Sequence, residues 1–99
     1  MANNSGQAQS QVGYEDLDVS STSKSFQSIP DHSTSFVRVH IQDADVRYRY
    51  DGEAAVAGNG GGQLLLAGSY HNIKGAEKIR KSRFIRNAST DAVIDCLYA

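Results

Sequence analysis

The sequence predicts an all-β protein, a small antiparallel β-sandwich or barrel (jelly-roll-like) preceded by an extended N-terminal arm. Three observations lead to this fold class. From residue 36 onward, short runs alternate apolar and polar residues between turn residues, as half-buried strands of small sandwiches and barrels do. Residues 1–35 include eleven serines or threonines and the only proline, a composition that cannot fold alone. A chain of 99 residues is sufficient for one small domain.

The first two strands are predicted from their period-two alternation. The stretch SFVRVHIQ puts Val37, Val39 and Ile41 on one face and polar side chains on the other. The stretch VRYRY repeats this pattern after a tight connection at 43–45. We therefore assign residues 36–99 to the β-domain and residues 1–35 to the arm.

Four further stretches complete the predicted sheet: LLLAG, SYHNI, RFIR, and AVIDCLY at the C-terminus. The stretch SYHNI either continues the LLLAG strand or begins a new strand after a turn at 68–69. The stretch IKGAEKIRKS has helical spacing through Ile73, Ala76 and Ile79, and it is equally consistent with a loop or an edge strand. The side chains predicted to form the core are Val37, Val39, Ile41, Val46, Tyr48, Tyr50, Leu64, Leu66, Phe84, Ile85, Val93 and Leu97.

The arm contains a few widely spaced apolar residues. This spacing is typical of an extended segment whose apolar side chains bind in the grooves of a neighbouring subunit, although the segment could instead fold back on its own domain. A β-domain of this size is close to the lower limit for a self-sufficient core. We therefore expect a homo-oligomer, with a trimer favoured. The predicted partner-binding residues of the arm are Tyr14, Leu17, Val19, Phe26 and Ile29.

The composition excludes several classes of protein. The net charge is −1, so the chain as a whole does not resemble a nucleic-acid-binding protein. No apolar run approaches the length of a membrane span, and the N-terminus lacks the pattern of a secretory signal. The single cysteine, Cys96, lies in an apolar run and is predicted to be a buried thiol of a protein made in a reducing cytoplasm.

No catalytic or cofactor site is predicted. The three histidines are far apart in sequence, whereas a metal site needs three or four converging ligands. The loop GNGGG is followed by Gln63 and leucines, while a phosphate-binding loop continues with lysine and a helix. We interpret this loop as a connector whose glycines permit positive φ angles. The expectation is a protein without enzymatic activity, cofactor or metal.

Basic residues are concentrated between residues 74 and 86, where six lysines and arginines accompany one acid, Glu77. This run is either a solvated face or a surface that pairs with an acidic protein, such as the Glu15–Asp18 segment of a neighbouring copy. Pairing of this kind sets orientation more than affinity. Nucleic-acid binding is not expected, because Phe84 is the only aromatic residue available for stacking. The predicted partner-binding residues are Lys74, Lys78, Arg80, Lys81 and Arg83.

The order of features from Phe36 onward resembles a group of small β-sandwich structural proteins of tailed bacteriophages, of the head decoration or stabilisation type. The residues that carry the resemblance are 46–52 (VRYRYDG), 65–68 (LLAG), 83–86 (RFIR) and 93–98 (VIDCLY). Members of that group often have Pro-Thr after Asp-Gly, where this chain has Glu53 and two alanines. The resemblance implies a virion component and indicates no catalytic residue.

The function expected from these observations is that of a non-enzymatic virion protein. It would be a capsid decoration or cement subunit that binds the major capsid protein or other virion subunits and neighbouring copies, located in the virion after synthesis in the host cytoplasm. The alternative is a neck, tail or fibre β-module that binds glycan or another virion protein, with Tyr48, Tyr50 or Tyr70 as a stacking platform. A regulator that binds nucleic acid through residues 74–86 is a third possibility.

Overall fold

A computed structural model describes residues 13–31, 33–58 and 60–99. The predicted arm's residues 1–12, with His32 and Asn59, lie outside these described residues. The regular secondary structure of these residues consists of seven strands and one six-residue helix, which confirms the all-β prediction. The elements are β1 (Gly13–Val19), β2 (Phe36–Gln42), β3 (Val46–Arg49), β4 (Gln63–Leu65), β5 (Tyr70–Lys74), α1 (Ala76–Lys81), β6 (Arg83–Arg86) and β7 (Ala92–Tyr98).

Four strands form one antiparallel sheet in the order β1-β7-β2-β5. The first strand of the described chain therefore pairs with the last, along its whole length from Gly13 to Val19. Alternation along β1 and β2 turns Leu17, Val39 and their apolar neighbours inward. The side chains on the opposite side of this sheet are exposed or half-buried.

Three strands form a second antiparallel sheet in the order β4-β3-β6. Although β2 and β3 are joined by only three residues, they do not pair with each other, and the connection passes from one sheet to the other. Asp43 has a φ angle of 75° in this connection, a left-handed conformation that aspartate tolerates better than most residues do. The tight connection was predicted, but a change of sheet within it was not.

The core is one cluster of buried side chains contributed by both sheets and by Ile79 of α1. Phe26 links the sheets, because its ring lies edge-on to Phe84 of one sheet at 5.2 Å and to Tyr98 of the other at 5.8 Å. Aromatic pairs in this geometry add stability beyond the area that they bury. Residues that precede β2 are therefore part of the domain.

The domain boundary predicted at residue 35 is wrong for the described part of the arm. β1 lies in the four-stranded sheet, and Lys24 exchanges backbone hydrogen bonds with Phe84 at 2.8 Å. The segment after β1 thus runs along β6 and covers that edge strand with the chain's own backbone. Leu17 and Val19 are almost completely buried, so their apolar surface stabilises this domain and not a neighbour.

The predicted core was partly correct. Seven of its residues are buried, whereas Tyr50, Leu64, Leu66 and Leu97 are between 39% and 54% exposed. In β7 the residues that point inward are Ile94, Cys96 and Tyr98, and Val93 and Leu97 lie on the other side. A shift of one residue reverses every side chain of a strand. The buried residues that were correctly predicted are Val37, Val39, Ile41, Val46, Tyr48, Phe84 and Ile85.

Candidate functional site

The outward-pointing side chains of the four-stranded sheet form a mixed polar and apolar surface, which we call the outer face. Three of its large side chains remain widely exposed: Tyr14 at 59%, Tyr70 at 63% and Leu97 at 47%. Exposed apolar groups collected on one face are typical of interaction sites. The outer face consists of Tyr14, Asp16, Asp18, Phe36, Arg38, His40, Gln42, Tyr70, Asn72, Lys74, Val93, Asp95 and Leu97.

Strand register aligns four of these side chains across the middle of the outer face. Asp16 lies opposite Asp95, Asp95 opposite His40, and His40 opposite Tyr70. The imidazole of His40 stacks on the ring of Tyr70 with their centroids 4.1 Å apart and the planes nearly parallel, at 4°. The Nδ1 of His40 is 3.6 Å from an Oδ2 of Asp95. One row therefore contains two carboxyl groups, an imidazole and a phenol.

The two carboxyl groups of this row are held together by hydrogen bonds. The hydroxyl of Tyr14 donates to Asp16 Oδ1 at 2.6 Å and lies 3.2 Å from Asp95 Oδ1, and the side-chain amide of Gln42 donates to Asp95. The hydrogen bond and charge of Asp16 raise the pKa of Asp95, and the same hydrogen bond lowers the pKa of Asp16. The pair therefore titrates as a unit that retains one proton into more basic solution than an isolated aspartate would.

The centre of the outer face is a shallow depression. Its lining is Tyr14, Arg38, His40, Tyr70, Asp95 and Leu97. Within the described residues, no three His, Cys, Asp or Glu side chains are placed to hold a metal ion. An open depression with exposed aromatic rings and both signs of charge can bind a protein side chain or the face of a sugar ring. It does not enclose a reacting group.

A second surface surrounds α1 and is basic. We call Lys78, Arg80, Lys81 and Arg83 the basic surface. Glu77 pairs with Arg80 at 2.7 Å and with Lys81 at 3.4 Å, and these ion pairs lower its pKa. One carboxylate facing four cations leaves an excess of positive charge that can attract an acidic partner.

The structure places most of the predicted basic residues together. Four of the five belong to the basic surface, and Lys74 lies on the outer face at the end of β5. The ammonium group of Lys78 lies 4.4 Å from the centre of the Tyr50 ring, a favourable contact of a cation with an aromatic face. Tyr50 therefore lies at the edge of the basic surface, although its side chain was predicted to be in the core.

The five predicted arm anchors are separated by the fold. Leu17, Val19 and Phe26 are buried in the chain's own core, and Ile29 packs partly against it. These side chains cannot bind in a neighbour's grooves without unfolding the domain, which corrects that prediction. Tyr14 alone among the five is widely exposed, and it lies on the outer face.

The acidic and aromatic residues of the outer face were missed as a site by sequence reasoning. Asp95 and Leu97 were assigned to a strand whose inward face was chosen incorrectly, and Asp16 was assigned to an arm. A signal was present in AVIDCLY, because Asp95 shares the parity of Val93 and Leu97 and a core strand seldom turns an aspartate inward.

Comparison with known proteins adds no relative. The chain matches no protein-family model, and neither a curated protein nor a solved structure is significantly similar to it. Among the described residues, no helix is long and apolar enough to cross a membrane.

Proposed function

We propose that this chain is a non-enzymatic structural protein of a tailed-bacteriophage virion, a capsid decoration or cement subunit that binds the major capsid protein and neighbouring copies. The observation that carries the proposal is the outer face, where Tyr14, Tyr70 and Leu97 are exposed on one sheet of a very small domain. Such a surface loses its unfavourable contact with water when a partner covers it. The sequence resemblance from Phe36 onward supports the same class of protein.

The finer fold proposed for this role is a jelly-roll-like β-sandwich. Its support is the single core that both sheets share and the ring of Phe26 between Phe84 and Tyr98. A sandwich has two outward faces and can contact a shell on one side and other subunits on another. The polar residues 1–12 precede the edge strand β1 in the chain.

The basic surface is the proposed contact with the shell. Lys78, Arg80 and Lys81 project from one short helix, and their charge is offset within the helix only by Glu77. An acidic patch on the major capsid protein would pair with this surface. Charges at the edge of an interface chiefly affect the association rate and its dependence on salt.

The direct test is to search for the chain in a reconstruction of the particle of the phage that encodes it, and then to compare variants in binding to particles from which the protein has been removed. We expect Lys78→Glu with Lys81→Glu to weaken binding at least tenfold at low salt. A matched double reversal away from both surfaces, Arg86→Glu with Lys24→Glu, should bind as the unmodified chain does. Absence of the chain from the particle overturns the proposal.

A second candidate function is glycan binding by a neck, tail or fibre module, and one observation favours it. Tyr70 stacks one face of its ring on His40 and remains 63% exposed, which leaves its other face open to a sugar. Tyr48, which was also considered for this platform, is buried. A glycan array with the unmodified protein and Tyr70→Ala tests this candidate, which fails if no glycan binds or if binding survives the substitution.

A further inference from the structure

Charge is divided across the outer face. Its carboxylates all lie on one half, formed by β1 and β7, and its basic side chains all lie on the other half, formed by β2 and β5. The exposed apolar side chains lie in both halves. The first half carries Asp16, Asp18 and Asp95, and the second carries Arg38 and Lys74 with the imidazole of His40.

This division makes the outer face complementary to itself. When two copies meet face to face about a two-fold axis parallel to the strands and between β7 and β2, β1 of each copy lies opposite β5 of the other, and β7 lies opposite β2. Acidic halves then face basic halves. An axis perpendicular to the strands would instead place β1 against β1 and bring like charges together, which costs free energy.

We infer that the outer face binds the outer face of a second copy of this chain, about a two-fold axis that runs parallel to the strands. Strand register specifies the contacts. Rotation about this axis keeps each row of side chains opposite the same row of the partner, so Asp95 meets His40 and Leu97 meets Arg38. Sheets that pack face to face with nearly aligned strands are a common arrangement.

Arg38 is the side chain on which this interface depends most. It is exposed on the outer face, where strand register places it between Leu97 and Asn72. In the dimer its aliphatic part covers the partner's Leu97, and its guanidinium reaches the next row, where the partner's Asp95 and Asp16 lie. A guanidinium is suited to such carboxylates because it donates several hydrogen bonds in one plane.

The size of the outer face predicts a weak dimer. Four strands about 4.8 Å apart and about seven residues long cover a face roughly 20 Å in each direction. Two such faces bury on the order of 1,000 Å² in total, which is at the low end of specific interfaces. We therefore expect a dissociation constant in the micromolar range and marked weakening as salt is raised.

The outer face is thus the surface through which neighbouring copies bind each other, and the dimer rests only on that part of the proposed function. Its test uses the purified chain in solution, whereas capsid binding is tested with the basic surface and virus particles. A failure of self-association therefore leaves the capsid result unchanged, and a chain absent from particles can still form this dimer. A trimer, which the sequence analysis favoured, is distinguished by mass.

The experiment is a charge exchange, read by sedimentation equilibrium of the full chain at low salt. Arg38→Glu and Asp16→Arg should each weaken self-association at least tenfold, because each places two like-charged contacts in the homodimer. An equimolar mixture of the two variants should associate like the unmodified chain, since both symmetry-related contacts then join opposite charges. Lys81→Glu and Glu53→Arg, which change the same charges away from the outer face, should have no effect.

Three results would overturn the inference. They are a monomeric unmodified chain at high micromolar concentration, association that neither variant weakens, and a mixture that stays as weak as its components. Circular dichroism shows whether each variant is folded. If Asp16→Arg does not fold, Leu97→Arg replaces it, because it places an arginine opposite the partner's Arg38 at both symmetry-related contacts and should abolish association, and undiminished association by that folded variant overturns the inference equally.

Discussion

The hydroxyl of Tyr98 donates a hydrogen bond to the carboxylate of Glu15 inside the core, between the last strand and the first. Glu15 is only 8% exposed. Its oxygens also accept the backbone N–H groups of Gln27, at 3.1 Å, and Ser28, at 2.9 Å. Burial and the neighbouring carboxylate raise the pKa of Tyr98. One buried acid thus joins β1, β7 and the segment that carries Phe26.

We predict that Glu15→Ala lowers the free energy of unfolding by about 3 kcal/mol, because three donors lose their acceptor in a buried site. Tyr98→Phe removes a single hydroxyl and should cost about 1 kcal/mol. Urea unfolding measures both. The control is Asp18→Ala, an exposed acid of the same strand, which should change stability by less than about 0.5 kcal/mol. Equal effects of Glu15→Ala and Asp18→Ala would contradict this role.

Two truncations distinguish residues that precede the domain from residues that belong to it. Removal of residues 1–12 should leave a folded protein, because β1 and its pairing with β7 are retained. Removal of residues 1–19 deletes Leu17 and Val19, which are 2% and 0% exposed, and leaves β7 paired on one side only, with β2. We expect that variant to be unfolded, with the loss of two buried side chains alone costing on the order of 5 kcal/mol. A cooperative melt of the shorter chain would disprove the assignment of β1 to the core.

The strands after residue 35 were predictable because their period-two patterns are regular, as in Val37, Val39 and Ile41. β1 was missed because its inward positions are Glu15, Leu17 and Val19, and a glutamate at an inward position conceals the apolar face. The acid is tolerated there because the distant hydroxyl of Tyr98 and the backbone N–H groups of Gln27 and Ser28 donate to it. A hydrogen bond between residues far apart in sequence cannot be recognised from the local pattern of apolar and polar residues.

The candidate site was predictable only where its residues are contiguous. The basic surface comes from one run of sequence, and it was found. The outer face combines Asp16, His40, Tyr70 and Asp95 from four strands, so it depends on strand order. No rule fixes from sequence which strand of a small antiparallel sheet lies beside which.

The carboxyl pair of the outer face should be visible in its titration. Hydrogen bonding and repulsion by Asp16 raise the pKa of Asp95 above the ordinary value of 3.8. In NMR titration of the side-chain carboxyl carbons, Asp16→Asn should return the pKa of Asp95 toward that value, since its main perturbing group is then neutral. Asp18→Asn is the matched control and should leave the pKa of Asp95 unchanged. An identical Asp95 titration in Asp16→Asn would refute the pairing.

The same shifts fix the sign of their effect on stability. Between pH 3.8 and the native pKa of Asp95 the native state binds more protons than the unfolded state. The contribution of Asp95 to the free energy of unfolding is therefore complete below pH 3.8 and is lost as the pH rises through its native pKa. The pKa of Asp16 is lowered, so its contribution is present above pH 3.8 and is lost as the pH falls through its native pKa. Urea unfolding at a series of pH values should show the loss of stability that Asp95 causes as the pH rises in the unmodified chain, and should not show it in Asp16→Asn.

The loop between β3 and β4 depends on glycine for space at one position and for conformation at another. A Cβ on Gly61 would lie 1.5 Å from the carbonyl oxygen of Val56. The N–H of Val56 in turn donates a hydrogen bond to the carbonyl oxygen of Gly61 at 3.1 Å. A Cβ on Gly60 would meet open space, and only its φ angle of 83° is unfavourable for alanine. We expect Gly60→Ala to cost about 1 kcal/mol and Gly61→Ala to cost about 3 kcal/mol, because the turn must open. Urea unfolding gives the two losses, and faster amide exchange at Val56 in Gly61→Ala alone would locate the opening. Equal losses in the two variants would show that the close approach of Gly61 to Val56 does not constrain the loop.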